Sequence, residues 1–79
     1  MVDCNPSYPS RAKHRGVTGE FVVHMTVDRS GTVTGVKIVS GGPRAMFERE
    51  IKTSMSRCKF EPTSTGFIAE VPLAFTIED

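Results

Sequence analysis

The chain has 79 residues, enough for one small domain with a modest core, and we expect residues 1–79 to form a single domain. The net charge of +1 arises from mixed acidic and basic side chains, which excludes the large basic field typical of nucleic-acid-binding or membrane-surface proteins. The sequence contains no run of eighteen apolar residues and no signal peptide, so we expect any membrane anchor to lie upstream of it.

The N-terminal part of the chain predicts an extended segment followed by a short helix. Residues 1–8 contain one proline and are followed by another, which disfavours regular structure. Ser10 is a suitable N-cap for a helix over 11–15, and Gly16 would end that helix. The basic side chains of this region are Arg11, Lys13, His14 and Arg15. A solvated helix face is the simpler interpretation of this basic cluster, and a recognition patch is the alternative.

Residues 20–40 predict a β-hairpin. Apolar residues at every second position from Phe21 to Val27 are typical of a strand with one buried face. The sequence Asp-Arg-Ser-Gly at 28–31 predicts a tight turn, in which the glycine can adopt a positive φ. A second strand is predicted over 32–40, where Val33 breaks the alternation and Gly35 suggests a bulge.

Residues 43–62 predict the main helix and its end. Apolar side chains at helical spacing form one stripe, which consists of Met46, Phe47, Ile51, Met55 and Cys58. Pro43 suits the first helical position, because the N–H that it lacks would have no partner there. Pro62 disfavours the helical conformation at Glu61, so the helix should end by about Lys59. Such a short amphipathic helix is marginally stable alone and needs a surface to pack on.

The strictest alternation in the chain runs from Phe67 to Ile77 and predicts a third strand. Pro72 lies inside this strand and cannot donate to a ladder, which indicates a strand at a sheet edge. With a right-handed crossover the third strand pairs with the first. The sequence therefore predicts an α+β fold, a three-stranded antiparallel sheet in the order 2-1-3 with the main helix and the short N-terminal helix packed on one face. The predicted core consists of Phe21, Val23, Met25, Val27, Val36, Ile38, Phe47, Ile51, Met55, Val71, Leu73 and Phe75.

Few side chains suggest catalysis or metal binding. The sequence contains no nucleophile motif, paired-carboxylate cleft or phosphate-binding glycine loop, so we expect neither an enzyme nor a cofactor. His24 is expected to be a surface histidine, and Glu50 either a solvated carboxylate or one in a structural bond. Cys4 and Cys58 could form a disulfide in an oxidising compartment or remain two buried thiols. A zinc site formed by these cysteines with His14 and His24 would lack the usual paired ligand spacing.

Three short motifs run through the chain in a fixed order. They are P-x-Y-P-x-R-A at 6–12, M-F-E-R-E at 46–50 and F-x-P at 60–62, and Gly16, Gly19 and the turn at 28–31 lie between the first two. Together they resemble the C-terminal domain of TonB, the periplasmic energy transducer of Gram-negative bacteria, over residues 5–77. The best-known members carry Trp where this chain has Cys58, and other members have one cysteine before the P-x-Y-P motif and another at the helix end. The resemblance therefore implies a Cys4–Cys58 disulfide, which a periplasmic location permits.

The resemblance also implies a function and a location. Family members are periplasmic domains anchored in the inner membrane, here through an N-terminal segment that this sequence lacks. They receive proton-motive-force energy from an ExbB/ExbD-type complex, reached through the missing upstream segments. They bind the TonB box of outer-membrane TonB-dependent receptors by β-strand addition and support uptake of iron-siderophore, haem or vitamin B12-type substrates. Alternatives are a TolA-like or cell-wall-binding periplasmic module and a dimerisation domain that pairs with its own copy. No nucleic-acid partner is expected.

Two segments are expected to form the partner-binding site. An alternating strand at a sheet edge exposes N–H and C=O groups to which a foreign strand can bind. The expected contact residues of this strand are Phe67, Ile68, Ala69, Glu70, Val71, Pro72, Leu73, Ala74 and Phe75. In the N-terminal segment, Arg11 is expected to pair with a carboxylate on the receptor plug, and Asn5, Pro6 and Tyr8 are expected to add contacts.

Overall fold

The computed structural model describes residues 4–77, which form two helices and three strands. In chain order these elements are α1 (Ser10–His14), β1 (Gly19–Val27), β2 (Val33–Gly42), α2 (Arg44–Met55) and β3 (Phe67–Phe75). The strands are antiparallel in the order β2-β1-β3, which confirms the predicted α+β architecture. Within the described range, neither helix is long and apolar enough to cross a membrane.

The turn between β1 and β2 is held by one carboxylate. Asp28 Oδ1 accepts hydrogen bonds from the backbone N–H groups of Ser30 (2.9 Å) and Thr32 (3.0 Å) and from the Ser30 hydroxyl (2.7 Å). The bond from the Ser30 hydroxyl, followed by that from the Thr32 N–H, lowers the pKa of Asp28 below its ordinary value. Gly31 has a φ of 89°, and a Cβ at this position would lie 1.9 Å from the carbonyl oxygen of Phe60. Glycine is therefore the residue that fits this turn.

Two bulges in β2 explain the irregular alternation of that strand. Shifts in the register leave Val39 and Thr34 without a partner on β1. The predicted bulge at Gly35 was therefore wrong by one residue, since Gly35 pairs with Thr26. The extra residue Thr34 turns Val33 back toward the core, where its side chain is buried.

Helix α1 begins one residue earlier than predicted. Pro9, with φ −59° and ψ 133°, occupies the capping position without a side-chain hydrogen bond, and Ser10 is the first helical residue rather than the cap. The helix ends at His14, one residue before the predicted Arg15, and Gly16 directly follows the capping residue with a φ of 67°, as expected for the residue that stops the helix. The N–H of Val17 donates to the carbonyl of Ala12 at 2.9 Å, as in a Schellman motif.

Helix α2 begins one residue later than predicted. Pro43 is extended, with a ψ of 131°, so the helix begins at Arg44. It ends at Met55, which is within the predicted limit of about Lys59. Lys59 forms an isolated β-bridge with Thr32, and the chain must leave the helical conformation before it reaches that bridge.

The core contains a cluster of aromatic rings between α2 and the sheet. The ring centroids of Phe21, Phe47 and Phe75 lie 4.6 to 6.0 Å apart, and Tyr8 packs edge-on against two of them. The buried apolar side chains are Ala12, Phe21, Val23, Met25, Val27, Val33, Ile38, Phe47, Ile51, Met55, Cys58 and Phe75. The prediction had omitted three of these, Ala12, Val33 and Cys58. It had also included three residues that are only partly buried, Val36, Val71 and Leu73.

Cys4 and Cys58 form a disulfide, which confirms the pairing that the resemblance implied. Their Cα atoms lie 5.1 Å apart across a sequence separation of 54 residues. The bond ties the N-terminal segment to the chain just beyond α2. Because both thiols are consumed, neither cysteine can contribute a thiolate to a zinc site in this state.

Candidate functional site at the open edge of the sheet

Strand β3 is paired on one side only. Its nine residues pair continuously with β1, from Phe67 opposite Val27 to Phe75 opposite Gly19, without a register shift. Within residues 4–77 no other strand pairs with it, as predicted for an edge strand. The opposite edge of the sheet is β2, whose two bulges interrupt the row of backbone groups. Of the two edges, β3 therefore offers the regular surface for an added strand.

The alternation of β1 decides which backbone groups of β3 face outward. The Thr34 hydroxyl of β2 donates to the carbonyl of Thr26 at 3.3 Å, so the even-numbered residues of β1 direct their backbone groups toward β2. Val22 belongs to this set, and its partner across the β1–β3 ladder is Pro72. Pro72 therefore lies at a position without a hydrogen bond to β1, and its nitrogen faces the open edge.

The same alternation assigns the other outward-facing groups of β3. The N–H groups of Ile68, Glu70 and Ala74 face the open edge, and so do the carbonyl groups of these residues and of Pro72. The N–H of Leu73 belongs to the ladder with β1. The open edge thus carries three donors and four acceptors between positions 68 and 74, with one donor missing at the proline.

The side chains of β3 give its two faces different characters. On the helix side, Ala69, Val71 and Leu73 are only partly buried, so an apolar shelf remains beside the edge. On the helix-free side, Ile68 is 67 % exposed. Glu70 lies on this face beside its register partner His24, with 2.8 Å between Oε1 and Nε2. This contact agrees with the expectation that His24 is a surface histidine.

The N-terminal segment meets the end of β3. Asn5, Pro6 and Tyr8 line a groove of about 330 Å³ together with residues 73–76. The Tyr8 hydroxyl donates to the carbonyl of Val17, and its ring packs against Phe75 at 5.5 Å between centroids. The structure thus brings three of the four expected N-terminal residues to the expected strand, and their role in binding stays a prediction.

Arg11 lies apart from that groove. It is exposed on α1 and does not line the groove beside β3. A second cavity, of about 500 Å³, shares Tyr8 with that groove and is lined by Tyr8, Ser10, Lys13 and His14. The sequence alone did not indicate Lys13 and His14 as site residues, because a solvated helix face is the simpler interpretation of the basic cluster.

Glu50 of α2 holds the N-terminal segment in place. Its Oε2 accepts the backbone N–H of Ser7 at 3.1 Å and the hydroxyl of Ser54. The bond from Ser54, followed by that from Ser7, lowers the pKa of Glu50 below its ordinary value. Together with the Cys4–Cys58 disulfide, this bond fixes the segment that approaches β3. Glu50 therefore makes a structural bond, one of the two alternatives that the sequence left open.

The described part of the chain contains no group of three or more His, Cys, Asp or Glu side chains arranged to hold a metal ion.

Comparison with known proteins identifies the relatives of the chain. The family model of the Gram-negative bacterial TonB protein C-terminal region matches residues 4–77. The TonB protein of Yersinia enterocolitica is 45 % identical over 61 residues, which cover 77 % of this chain and 24 % of that protein. The TonB protein of Escherichia coli K12 is 39 % identical over 72 residues, which cover 91 % of this chain and 30 % of that protein. The chain thus spans less than a third of the length of these two relatives.

Solved structures support the same relationship. The solution structure of the Pseudomonas aeruginosa TonB C-terminal domain superposes with a TM-score of 0.78 at 27 % identity, covering 99 % of this chain and 85 % of the other. A structure of the TonB2 protein from Vibrio anguillarum gives a TM-score of 0.79 at 29 % identity, covering 100 % of this chain and 80 % of the other. The fold, the order of the motifs and the match over residues 4–77 lead to one conclusion: the chain belongs to the family of C-terminal domains of Gram-negative TonB proteins.

Proposed function

We propose that the chain is the receptor-binding domain of a periplasmic energy transducer, and that it binds an extended segment of an outer-membrane receptor, the TonB box, as a fourth strand on β3. The observation that supports this proposal is the regular, unpaired edge of β3. An added strand would satisfy the outward-facing groups between positions 68 and 74, and its side chains could pack on the partly exposed shelf of Ala69, Val71 and Leu73.

The energetics of strand addition favour a weak, reversible contact. Hydrogen bonds to these seven main-chain groups, at roughly 0.5–1.5 kcal/mol each, would contribute several kcal/mol. Association and ordering of a flexible peptide cost about 4–15 kcal/mol, which offsets much of that gain. We therefore expect the isolated peptide to bind with a Kd of about 1 µM or weaker. Contacts outside the strand must add the remaining affinity.

The N-terminal segment supports such additional contacts. Asn5, Pro6 and Tyr8 lie beside the end of β3, where a bound strand would leave the edge. Arg11 is exposed on α1, and its guanidinium could make a charge-assisted pair with a carboxylate on the receptor plug. Replacing Arg11 with Ala should weaken receptor binding chiefly at low salt, because an exposed ion pair is screened at high salt. Arg29, an exposed residue of the β1–β2 turn, provides the matched control Arg29→Ala.

The remaining parts of the proposal concern the longer protein to which this domain would belong. An upstream segment would anchor it in the inner membrane and connect it to an ExbB/ExbD-type complex driven by the proton-motive force. The receptors would be those that import iron-siderophore, haem or vitamin B12-type substrates. Membership of the TonB family supports this assignment, and residues 1–79 would act as its single receptor-binding domain.

An NMR titration with a peptide that contains the TonB box of such a receptor tests the proposal. Amide shifts should cluster on β3 and around Tyr8, and β2, the other edge of the sheet, should be unaffected. Replacing Ala74 with Pro should raise Kd about two- to tenfold, because it removes one outward donor without breaking the β1–β3 ladder. The matched control Ala74→Val retains the N–H and should bind like the original chain. Equal binding by both variants, or shifts confined to β2, would refute strand addition on β3.

The same open edge also favours a second candidate function, self-association. Two copies could pair their β3 strands around a twofold axis, since an unpaired regular edge accepts any strand of suitable shape. Light scattering over a range of protein concentrations distinguishes this dimer from a monomer. If the chain dimerises through β3, the Ala74→Pro variant should shift toward monomer.

A further inference from the structure

The cavity between Tyr8 and α1 has the features of a small anion-binding site. It has a volume of about 500 Å³ and is lined by Tyr8, Ser10, Lys13 and His14. The Lys13 ammonium offers three donors, the Ser10 hydroxyl offers one, and the His14 imidazole adds a ring N–H. We propose that this cavity binds a side-chain carboxylate of the same extended peptide that pairs with β3, at an acidic residue just outside the paired segment. This inference rests on the proposed function and adds a sequence requirement for the partner.

The walls of the cavity are held in place by the fold. The Tyr8 ring lies edge-on to Phe47 and Phe75, with centroids 5.8 and 5.5 Å away, and its hydroxyl donates to the carbonyl of Val17. On the opposite side, the carbonyl of Lys13 accepts the N–H of Gly16 at 3.2 Å, which fixes the end of α1. The site is therefore preorganised, and binding would mainly order the Lys13 side chain.

The positive charges around the cavity are not paired with acidic side chains of the described chain. Within residues 4–77 the acidic side chains that contact a basic one are Glu70, beside His24, and Glu48, beside Lys52, and neither contact includes a residue of α1. Arg11 on the same short helix and Arg15 directly after it are exposed and add to the local positive potential. Because the whole chain carries a net charge of only +1, this cluster is a local feature rather than part of a general basic surface.

The position of the cavity identifies its occupant. Tyr8 lines both this cavity and the groove that contains residues 73–76 at the end of β3. A peptide that pairs along β3 and continues past Phe75 must pass the Tyr8 ring. Because Tyr8 also lines the cavity, the next residues of the peptide would come close to Lys13 and His14. A carboxylate on the same peptide can reach this site without a second binding partner, whereas a membrane surface would favour a broad basic face.

A peptide series tests the proposal. A strand-forming TonB-box peptide is prepared in four versions. Two of them carry either two Asp or two Asn residues at the N-terminal end, and the other two carry the same residues at the C-terminal end. At one end only, Asp should lower Kd about two- to fivefold relative to Asn. The gain should fall between about 0.1 M and 1 M salt, where the Debye length shortens from roughly 10 to 3 Å. Lys13→Gln should abolish the gain. Arg15→Gln removes the same charge two residues away, outside the cavity, and should retain it.

The possible results separate the inference from the function on which it rests. If Asp and Asn peptides bind equally well, strand addition stands and the anion site is refuted. If Lys13→Gln and Arg15→Gln reduce the gain equally, only a general field acts and the cavity is likewise refuted. If the chain sediments with phosphatidylglycerol vesicles in a Lys13-dependent way, and Asp peptides bind no better than Asn peptides, the proposal is overturned in favour of a lipid phosphate. If no peptide binds at all, the proposed function and the inference both fail.

Discussion

Breaking the Cys4–Cys58 disulfide should destabilise the domain more than most single core substitutions. The bond closes a loop across a separation of 54 residues, and the chain-entropy model then gives about 4 kcal/mol of stabilisation at 25 °C. A domain of this size has a total free energy of unfolding of roughly 4–12 kcal/mol. For a domain of this length, each kcal/mol of lost stability lowers Tm by about 4–8 °C, so the loss of the disulfide should lower Tm by about 25 °C.

Urea and thermal unfolding of the oxidised and reduced chain measure this loss directly. The double variant Cys4→Ser/Cys58→Ala is the control, since reductant should not change its stability. The reduced chain should also show a larger m-value, because its unfolded state is less compact. A loss below about 1 kcal/mol on reduction would refute the entropic reasoning, which requires a much larger effect for a loop of this length.

Two further predictions concern the supports of the fold. Gly31→Ala should destabilise the domain by about 2 kcal/mol or more, because the new Cβ would lie 1.9 Å from the Phe60 carbonyl oxygen. Gly16→Ala is its control: φ is also positive, but nothing lies within 4 Å, so urea unfolding should show a loss of only about 1–2 kcal/mol. The hydrogen bonds from Ser54 and Ser7 lower the pKa of Glu50 in the folded chain. These bonds therefore stabilise the fold fully when the pH is above the pKa that Glu50 has in the unfolded chain, and their contribution is lost as the pH falls through the lower pKa of the folded chain. Glu50→Gln should therefore be less stable than the original chain near pH 7, and the difference should shrink below about pH 4; a difference that is constant with pH would contradict this linkage.

The sequence predicted the fold well because its strongest patterns report burial. The alternation of 67–77 and the proline within it indicated an edge strand, and the helical stripe of Phe47, Ile51 and Met55 is buried as expected. The bulge was misplaced because its position depends on pairing with β1, which a single strand's pattern does not reveal. The start of α1 was misplaced for a local reason, since Pro9 takes the capping position in place of the serine.

The candidate site was predicted only in part. The edge strand followed from alternation and proline chemistry, and the N-terminal residues followed from family resemblance. The cavity at Lys13 and His14 was missed because it exists only where the Tyr8 ring stands beside α1. That position depends on contacts with Phe47 and Phe75, which are distant in sequence. A basic helix of five residues gives no local signal for such a neighbour.

The disulfide also creates a short covalent route through the domain. From Cys4 the bonds cross to Cys58 and continue along residues 59–66 into β3, so the loop of residues 5–57 lies outside that route. Tension applied between Cys4 and β3 is therefore carried by this route, while α1, the β1–β2 hairpin and α2 bear none of it through their own backbone. Strand β1, which pairs with β3, can therefore keep its shape while tension acts on β3.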